Sequence, residues 1–273
     1  MILAQVTDMH VKAPGKLAYR KVDTAAHLAR AVAALNALDP QPDLVALTGD
    51  LVDFGTAEEY AHLRAILAPL RTPYLLLPGN HDERGALRAA FPEHDYLGKD
   101  GFIQYATDLG PLRLIALDTV VPMRGHGELC AERLAWLERT LAAAPGRPTV
   151  VMMHHPPFMT GVGHMDKQGL LGGREGFAAV IARHRQVERV ICGHLHRPIQ
   201  CRVAHTFAST CPAPCHQVAL DLRPEAPSAF MLEPPGYQLH AWVEGTGLVT
   251  HTAVIGDFDG PYPFYDAAGR LID

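Results

Sequence analysis

Tyr74-Leu75-Leu76-Leu77-Pro78-Gly79-Asn80-His81-Asp82 is an apolar run that breaks into a polar turn. It reads as a short buried strand whose C-terminal end presents Asn, His and Asp at one point. In open α/β sheets that strand edge is where ligands bind. Four other junctions repeat the design: Asp8-Met9-His10 after 2–6, Gly49-Asp50 after 44–47, His154-His155 after 150–153, and Gly193-His194-Leu195-His196 after 190–192. Between them lie helical patterns. Leu28, Val32, Leu35 and Leu38 predict a helix over 24–38, stopped by Asp39-Pro40 and Pro42. Thr56 with Glu59 forms a capping-box pattern ahead of Tyr60, Leu63, Leu67 and Leu70. Strands at 102–106 and 112–118 suggest a second, more antiparallel sheet, and helices follow at 131–143 and around Phe177–His184.

The 273 residues are 48% apolar and 19% charged, as in a globular protein with an ordinary core. With a net charge of −5 and no Lys/Arg runs, a nucleic-acid polymer or an anionic membrane is not indicated as a partner. No apolar stretch approaches the ~18 residues of a membrane span. The first strand starts at Ile2, which leaves no room for a signal peptide. Five cysteines without a CxxC pair suit free thiols, so the expected location is cytoplasmic. The 16 histidines are the unusual feature, because several stand at strand ends, where neutral imidazole can ligate metal.

Asp8 and His10 are two apart, as are His194 and His196. On an extended strand, such pairs point to one side and can share an ion. Gly49 and Gly79 allow tight turns beside a crowded site. Asp8, His10, Asp50, Asn80, His154, His194 and His196 are too many donors for one tetrahedral ion. They suit two ions of Mn, Fe, Zn or Co sharing a carboxylate. Two metals ~3.5–4 Å apart can clamp both oxygens of an in-line phosphoryl displacement.

The blocks D-x-H, GD, GNH[DE], H and GHxH occur here in order over residues 8–196, and the chain resembles the calcineurin-like metallophosphoesterases. Within them it is most similar to the class III cyclic-nucleotide phosphodiesterase and glycerophosphodiesterase group. The first strand starting at residue 2, His154-His155-Pro156-Pro157, Met165-Asp166, the length and the tail after the last motif carry that likeness. The resemblance implies an α/β class: a four-layer α/β/β/α sandwich with a small C-terminal β-rich dimerisation or cap element. The expected division is a catalytic core over 1–197, the cap over 198–255, and a tail over 256–273 packing back on the core. The assembly implied is a homodimer or higher homo-oligomer.

The resemblance also implies roles. Asp8, His10 and His196 would hold the first metal, Asp50 would bridge, and Asn80, His154 and His194 would hold the second. Asn80 and His81 would meet the substrate phosphate, and His81 would help the leaving group depart. A metal-bound hydroxide would attack a small-molecule phosphodiester, either a glycerophosphodiester or a 3′,5′-cyclic nucleotide. His216 and Tyr19 are candidate pocket residues. Asp82 and Asp118 are expected to orient histidines, and His155 to stand behind the donors. A phosphomonoesterase is the alternative, although a clamp for dianionic phosphate usually shows arginines near the motifs, and here only Arg84 lies close. A non-catalytic scaffold would be expected to lack donors, and none is missing.

Overall fold

The computed structural model describes residues 1–272. The first half alternates strand and helix: β1 (Ile2–Val6), α1 (Thr24–Asn36), β2 (Leu44–Thr48), α2 (Ala57–Leu67), β3 (Tyr74–Leu77) and α3 (Arg84–Ala90). Side chains cap the first two helices, the second by the box read from the sequence. Asp23 accepts from the Ala26 N–H to start α1, and Thr56 and Glu59 close a reciprocal box on α2. The second half comprises β4 (Tyr105–Leu109), β5 (Leu112–Leu117), β6 (Gly127–Glu128), α4 (Ala131–Ala142), β7 (Thr149–Met153), α5 (Gly163–Asp166), β8 (Leu170–Gly172), α6 (Arg174–Arg183) and β9 (Val187–Cys192). The remainder is β-rich: β10 (Ile199–Val203), β11 (Thr206–Thr210), β12 (Gln217–Val218), β13 (Phe230–Met231), β14 (Gly236–Val243) and β15 (Gly247–Val254).

Two sheets carry the molecule, in the orders β15-β14-β1-β2-β3 and β10-β11-β9-β7-β5-β4. β1, β2 and β3 run parallel, as do β5, β7, β9 and β11. Side-chain alternation sorts the layers. On β7, Val150 and Met152 join a core shared with the first sheet and with α1 and α2. Val151 and Met153 join a second core with α4 and α6. β5 divides likewise, with Leu112, Leu114 and Ala116 on one side and Ile115 and Leu117 on the other. The result is the expected α/β/β/α sandwich.

The region 198–255 differs from a single appended cap. β10 and β11 extend the second sheet, and β14 and β15 extend the first, with β14 antiparallel to β1. Leu3 to Val6 are buried on both faces, so an unpaired β1 edge would leave ladder groups dry and unsatisfied. Pairing with β14 removes that problem. Only the segment between β11 and β14, with the small β12–β13 pair, lies outside the two large sheets.

The tail also departs from expectation. Residues 256–272 do not pack back on the core. Apart from half-buried Asp266 they are exposed, and a single bridge links Tyr265 to Leu271. Ile255 is the last buried residue, and the Gly- and Pro-rich stretch after it has no regular apolar face to offer. The expected tail's last residue, 273, lies outside the described residues. Among the described residues no helix is long and apolar enough to cross a membrane, and all five cysteines are free.

Candidate metal centre and active site

The C-terminal ends of β1, β2, β3, β7 and β9 meet between the layers, and each delivers its motif just beyond the last strand residue. The strand-based reading of the Asp8/His10 and His194/His196 pairs needs correction here. Both pairs lie past their strands, in left-handed backbone: φ is 54° at Asp8, 45° at His10, 72° at His194 and 52° at His196. Asp50 is left-handed too, at 48°. Such conformations cost non-glycine residues of order 1–3 kcal/mol each and persist where the surroundings over-determine them. Curling of the backbone, more than the pleat, turns the side chains of each pair to a common point.

What over-determines them is a set of bonds from one motif to the next. The Asp8 carboxylate accepts the His194 N–H at 3.0 and 2.9 Å, and the Asp50 carboxylate accepts the His81 N–H at 2.9 Å. The Asp8 and His10 N–H groups donate to the Gly49 and Asp50 carbonyls. Gly49 has φ +99°, and a Cβ there would strike the His154 imidazole, so β2 can end this close to β7 only at glycine.

All seven expected donors converge. His10 Nε2 lies 3.2 Å from His196 Nε2 and 3.6 Å from Asp50 Oδ2. His196 Nε2 is 3.5 Å from Asp8 Oδ1. His154 Nε2 is 3.3 Å from Asp50 Oδ2, 3.9 Å from Asp8 Oδ1 and 3.2 Å from Asn80 Oδ1. His194 joins His154 with ligating atoms within 4.8 Å. Asp8, His10, Asp50, His154, His194 and His196 are all buried.

These residues fit a metal, and the fold itself supplies the test. Three of the four inward imidazoles have the outer nitrogen engaged: His10 Nδ1 on Asp53 Oδ1 at 3.1 Å, His154 Nδ1 on the Thr48 carbonyl at 2.9 Å, His196 Nδ1 on the His216 carbonyl at 2.9 Å. A ring that donates from Nδ1 keeps a lone pair at Nε2. Three such lone pairs and two carboxylates therefore point at one another in a dry site, an arrangement that calls for positive charge. His194 Nε2 is buried without a hydrogen-bond partner, an orphan that an ion would satisfy.

The titration tendencies divide: two rings stay neutral, and at His154 the carboxylates draw in a proton, positive charge that a bound cation would replace. Burial pushes His194 and His196 down to about 3, which keeps both as neutral ligand imidazoles. Burial also lowers His154, but the charges of Asp50 and Asp8 outweigh it and carry that ring up to about 9. Desolvation opposes the charge of Asp50, yet His154, His81 and His10 hold its pKa well below the usual carboxylate range.

His81, Tyr19 and His216 line the same cleft of about 390 Å³ with His10, Asp50 and Asn80. His81 Nδ1 donates to the Asp53 carbonyl at 2.8 Å, so its Nε2 is the nitrogen left for the cleft. His216 stacks edge-on against Tyr19 and His196 and, buried, is pushed down to about 2. Burial raises the Tyr19 phenol to about 12. Further lining comes from His164 and Met165 on α5, from Gln168 just after it, and from Phe230 on β13.

Three supporting roles differ from expectation. Asp82 orients backbone and not histidine: it accepts from the Leu51 and Gly79 N–H groups and from the Tyr60 hydroxyl at 3.1, 2.8 and 2.9 Å. Asp118 holds Arg84 through two bonds of 2.7 and 2.8 Å and also accepts from Ile103 and Val120. Asp53, which bonds His10 and the Lys12 ammonium (2.7 Å), is the residue that reading the sequence missed. Its signal was its position three residues after Asp50 in the same turn.

Comparison with known proteins follows the same line. The family model described as calcineurin-like phosphoesterase matches residues 1–198. The chain is 43% identical, over the full length of both proteins, to the probable glycerophosphodiester phosphodiesterase GpdQ of Arcobacter nitrofigilis. It is 32% identical to the 3′,5′-cyclic adenosine monophosphate phosphodiesterase CpdA of Escherichia coli, over 72% of this chain and 70% of that one. Among solved structures, a dimetal phosphatase from Danio rerio superposes with a TM-score of 0.62 over 94% of this chain and 99% of that one, at 15% identity, which speaks for the fold alone. Fold, motif order and donor geometry agree with these matches: the chain belongs to the calcineurin-like phosphoesterase family.

Proposed function

We infer that the chain is a metal-dependent phosphodiesterase acting on small soluble diesters, glycerophosphodiesters or 3′,5′-cyclic nucleotides. One observation carries the reading: inward Nε2 lone pairs of three histidines and the carboxylates of Asp8 and Asp50 converge in a buried site beside an open cleft. The names of the two relatives above, both phosphodiesterases, support the diester. In this reading Asp8, His10 and His196 would hold one ion, Asn80, His154 and His194 would hold a second, and Asp50 would be shared between them. When bound, the pair would neutralise phosphoryl charge and bring the pKa of water toward neutrality; Mn, Fe, Zn and Co all suit such ligands.

The chain's own residues supply the rest. Asn80 and His81 bracket the position of the phosphate at the cleft floor. With Nδ1 fixed on the Asp53 carbonyl, His81 can carry a proton at Nε2 and hand it to the departing alkoxide. Neutral His216 and the protonated Tyr19 phenol offer hydrogen bonds to substrate oxygens. Arg84 is committed to Asp118 and is not free to clamp a dianion, which favours a diester over a monoester.

Free thiols at all five cysteines suit the reducing cytoplasm, and the exposed apolar tail suits a homo-oligomer. The test is kcat/KM of Mn-reconstituted protein on bis(p-nitrophenyl) phosphate and on p-nitrophenyl phosphate. The diester is expected to be the better substrate; turnover of the monoester alone would replace this reading with a phosphomonoesterase.

A further inference from the structure

A second cavity, of about 480 Å³, adjoins the cleft. Asn80 and His81 line both, so the two spaces meet where the phosphate is placed. One wall of the second space comes from the 120–125 segment, through Val120, Pro122, Met123 and Arg124, and Phe54 also lines it. Neither donors nor pocket residues of the reaction described above explain this wall.

The wall is held at both ends. Buried His155 anchors one end through both ring nitrogens. Its Nε2–H donates to the Gly125 carbonyl at 3.1 Å, which leaves Nδ1 to accept the Thr119 hydroxyl at 2.8 Å. Asp118, itself locked to Arg84, accepts the Val120 N–H at 2.9 Å, and Arg84 reaches the Val120 carbonyl at 2.9 Å. Between these anchors Met123 sits at φ 61° with its side chain 98% exposed, and Arg124 has no carboxylate partner among the described residues. Strained backbone, an apolar side chain presented to water and an unspent guanidinium on a braced wall are features of a surface kept for a ligand.

We propose that this cavity is a second substrate arm, in which Met123 and Arg124 receive one ester group of an acyclic diester while the other lies against Tyr19 and Phe230. The proposal rests on the phosphodiesterase reading and narrows it. A tetrahedral phosphorus sends its two ester oxygens in different directions, so an acyclic diester centred at Asn80 and His81 can fill both spaces. In a 3′,5′-cyclic nucleotide both ester oxygens close onto one ribose, and the molecule extends to one side only. The apolar wall takes the carbon skeleton of the arm, and Arg124 takes a hydroxyl or anionic substituent on it. Two filled spaces mean more contact per substrate, so acyclic diesters are the preferred class.

The experiment compares two synthetic diesters on Mn-loaded protein: bis(p-nitrophenyl) phosphate, with two large arms, and methyl p-nitrophenyl phosphate, with one. The variants are Met123→Ala and Arg124→Ala, both at exposed positions where folding is not at stake. The kcat/KM ratio of the two-armed to the one-armed ester should fall at least fivefold in the double variant, chiefly through KM. Because the ratio is taken within each protein, a general loss of activity cancels. A ratio within twofold of wild type would overturn the subsite. In wild type, kcat/KM should be at least tenfold higher on glycerophosphoethanolamine than on 3′,5′-cyclic AMP, and the reverse order would overturn the preference. Wild-type protein that cleaves neither synthetic diester would instead overturn the phosphodiesterase reading on which the subsite stands.

Discussion

Asp53 illustrates how the site depends on residues outside the donor set. Burial opposes its charge, but His10 and Lys12 hold its pKa below the usual carboxylate range. By accepting the His10 Nδ1–H it fixes which nitrogen faces the donors. Replacing such a partner weakens metal binding by roughly 10–100-fold, so Asp53→Ala should raise the Mn²⁺ dissociation constant by about that factor, measured by calorimetric titration. An unchanged constant would show that His10 needs no orienting carboxylate. Asn80→Ala and Asp50→Ala should separate the two proposed ions. Removing Asn80 takes one neutral donor from one ion, whereas removing Asp50 takes the shared bridge. Metal per chain, measured by plasma mass spectrometry, should fall by about half for Asn80→Ala and further for Asp50→Ala; equal content in the two variants would sink the assignment. At this scale the convergence of the seven side chains was legible because ligation would demand particular residue types at particular turns. Asp53, Asp82 and Asp118 were not, because a partner that orients a ring or a backbone amide can come from almost any neighbouring loop. Only the folded chain shows that Asp118 serves Arg84 and that Asp82 serves Gly79 and Leu51.

Strands set the site by where they end, and the two sheets must be held in register for five ends to meet. A buried polar tie does part of this. Gln5 on β1 donates to Thr48 Oγ1 on β2 and to the Cys192 carbonyl on β9, both at 2.9 Å, and its Oε1 meets His240 Nε2 on β14 at 3.2 Å. One side chain thus joins the first sheet to the second, one strand step behind Asp8 and His194. Gln5→Leu keeps the volume but leaves His240 Nε2 without a partner in a dry interior, while the Cys192 carbonyl keeps only the Cys211 N–H. A buried unsatisfied group costs about 1–3 kcal/mol, so the urea midpoint should drop by the equivalent of about 1–3 kcal/mol at unchanged slope. A variant as stable as wild type would mean that water or repacking replaces the tie. The strands and helices were readable from periodicity and caps, down to the Thr56–Glu59 box. The left-handed turns that follow the strands were not, since Asp and His do not announce positive φ as glycine does.

At the scale of the whole molecule, chain order conceals which strands pair. β14 lies beside β1, so residues near 240 complete a sheet begun at residue 2, and no local pattern near Gln238 points to that partner. What the completed sandwich then leaves outside is also informative. Beyond Ile255 the chain exposes Phe258, Tyr262, Phe264, Tyr265, Leu271 and Ile272, each more than half accessible. Exposed apolar side chains gathered on one short arm invite a partner, and in the homo-oligomer proposed above the occupant would be a second copy of the chain. Deleting 257–273 removes no buried core side chain among the described residues, so the truncated protein should keep its far-UV circular dichroism and its Mn²⁺ affinity within about twofold. Its mass by light scattering at tens of micromolar should fall toward that of one chain, whereas the full-length protein should run as a dimer or larger. Full-length protein that is monomeric at that concentration would refute the assembly. A truncated protein that stays assembled would move the interface away from the arm, to the β12–β13 segment or to an edge of one of the two sheets.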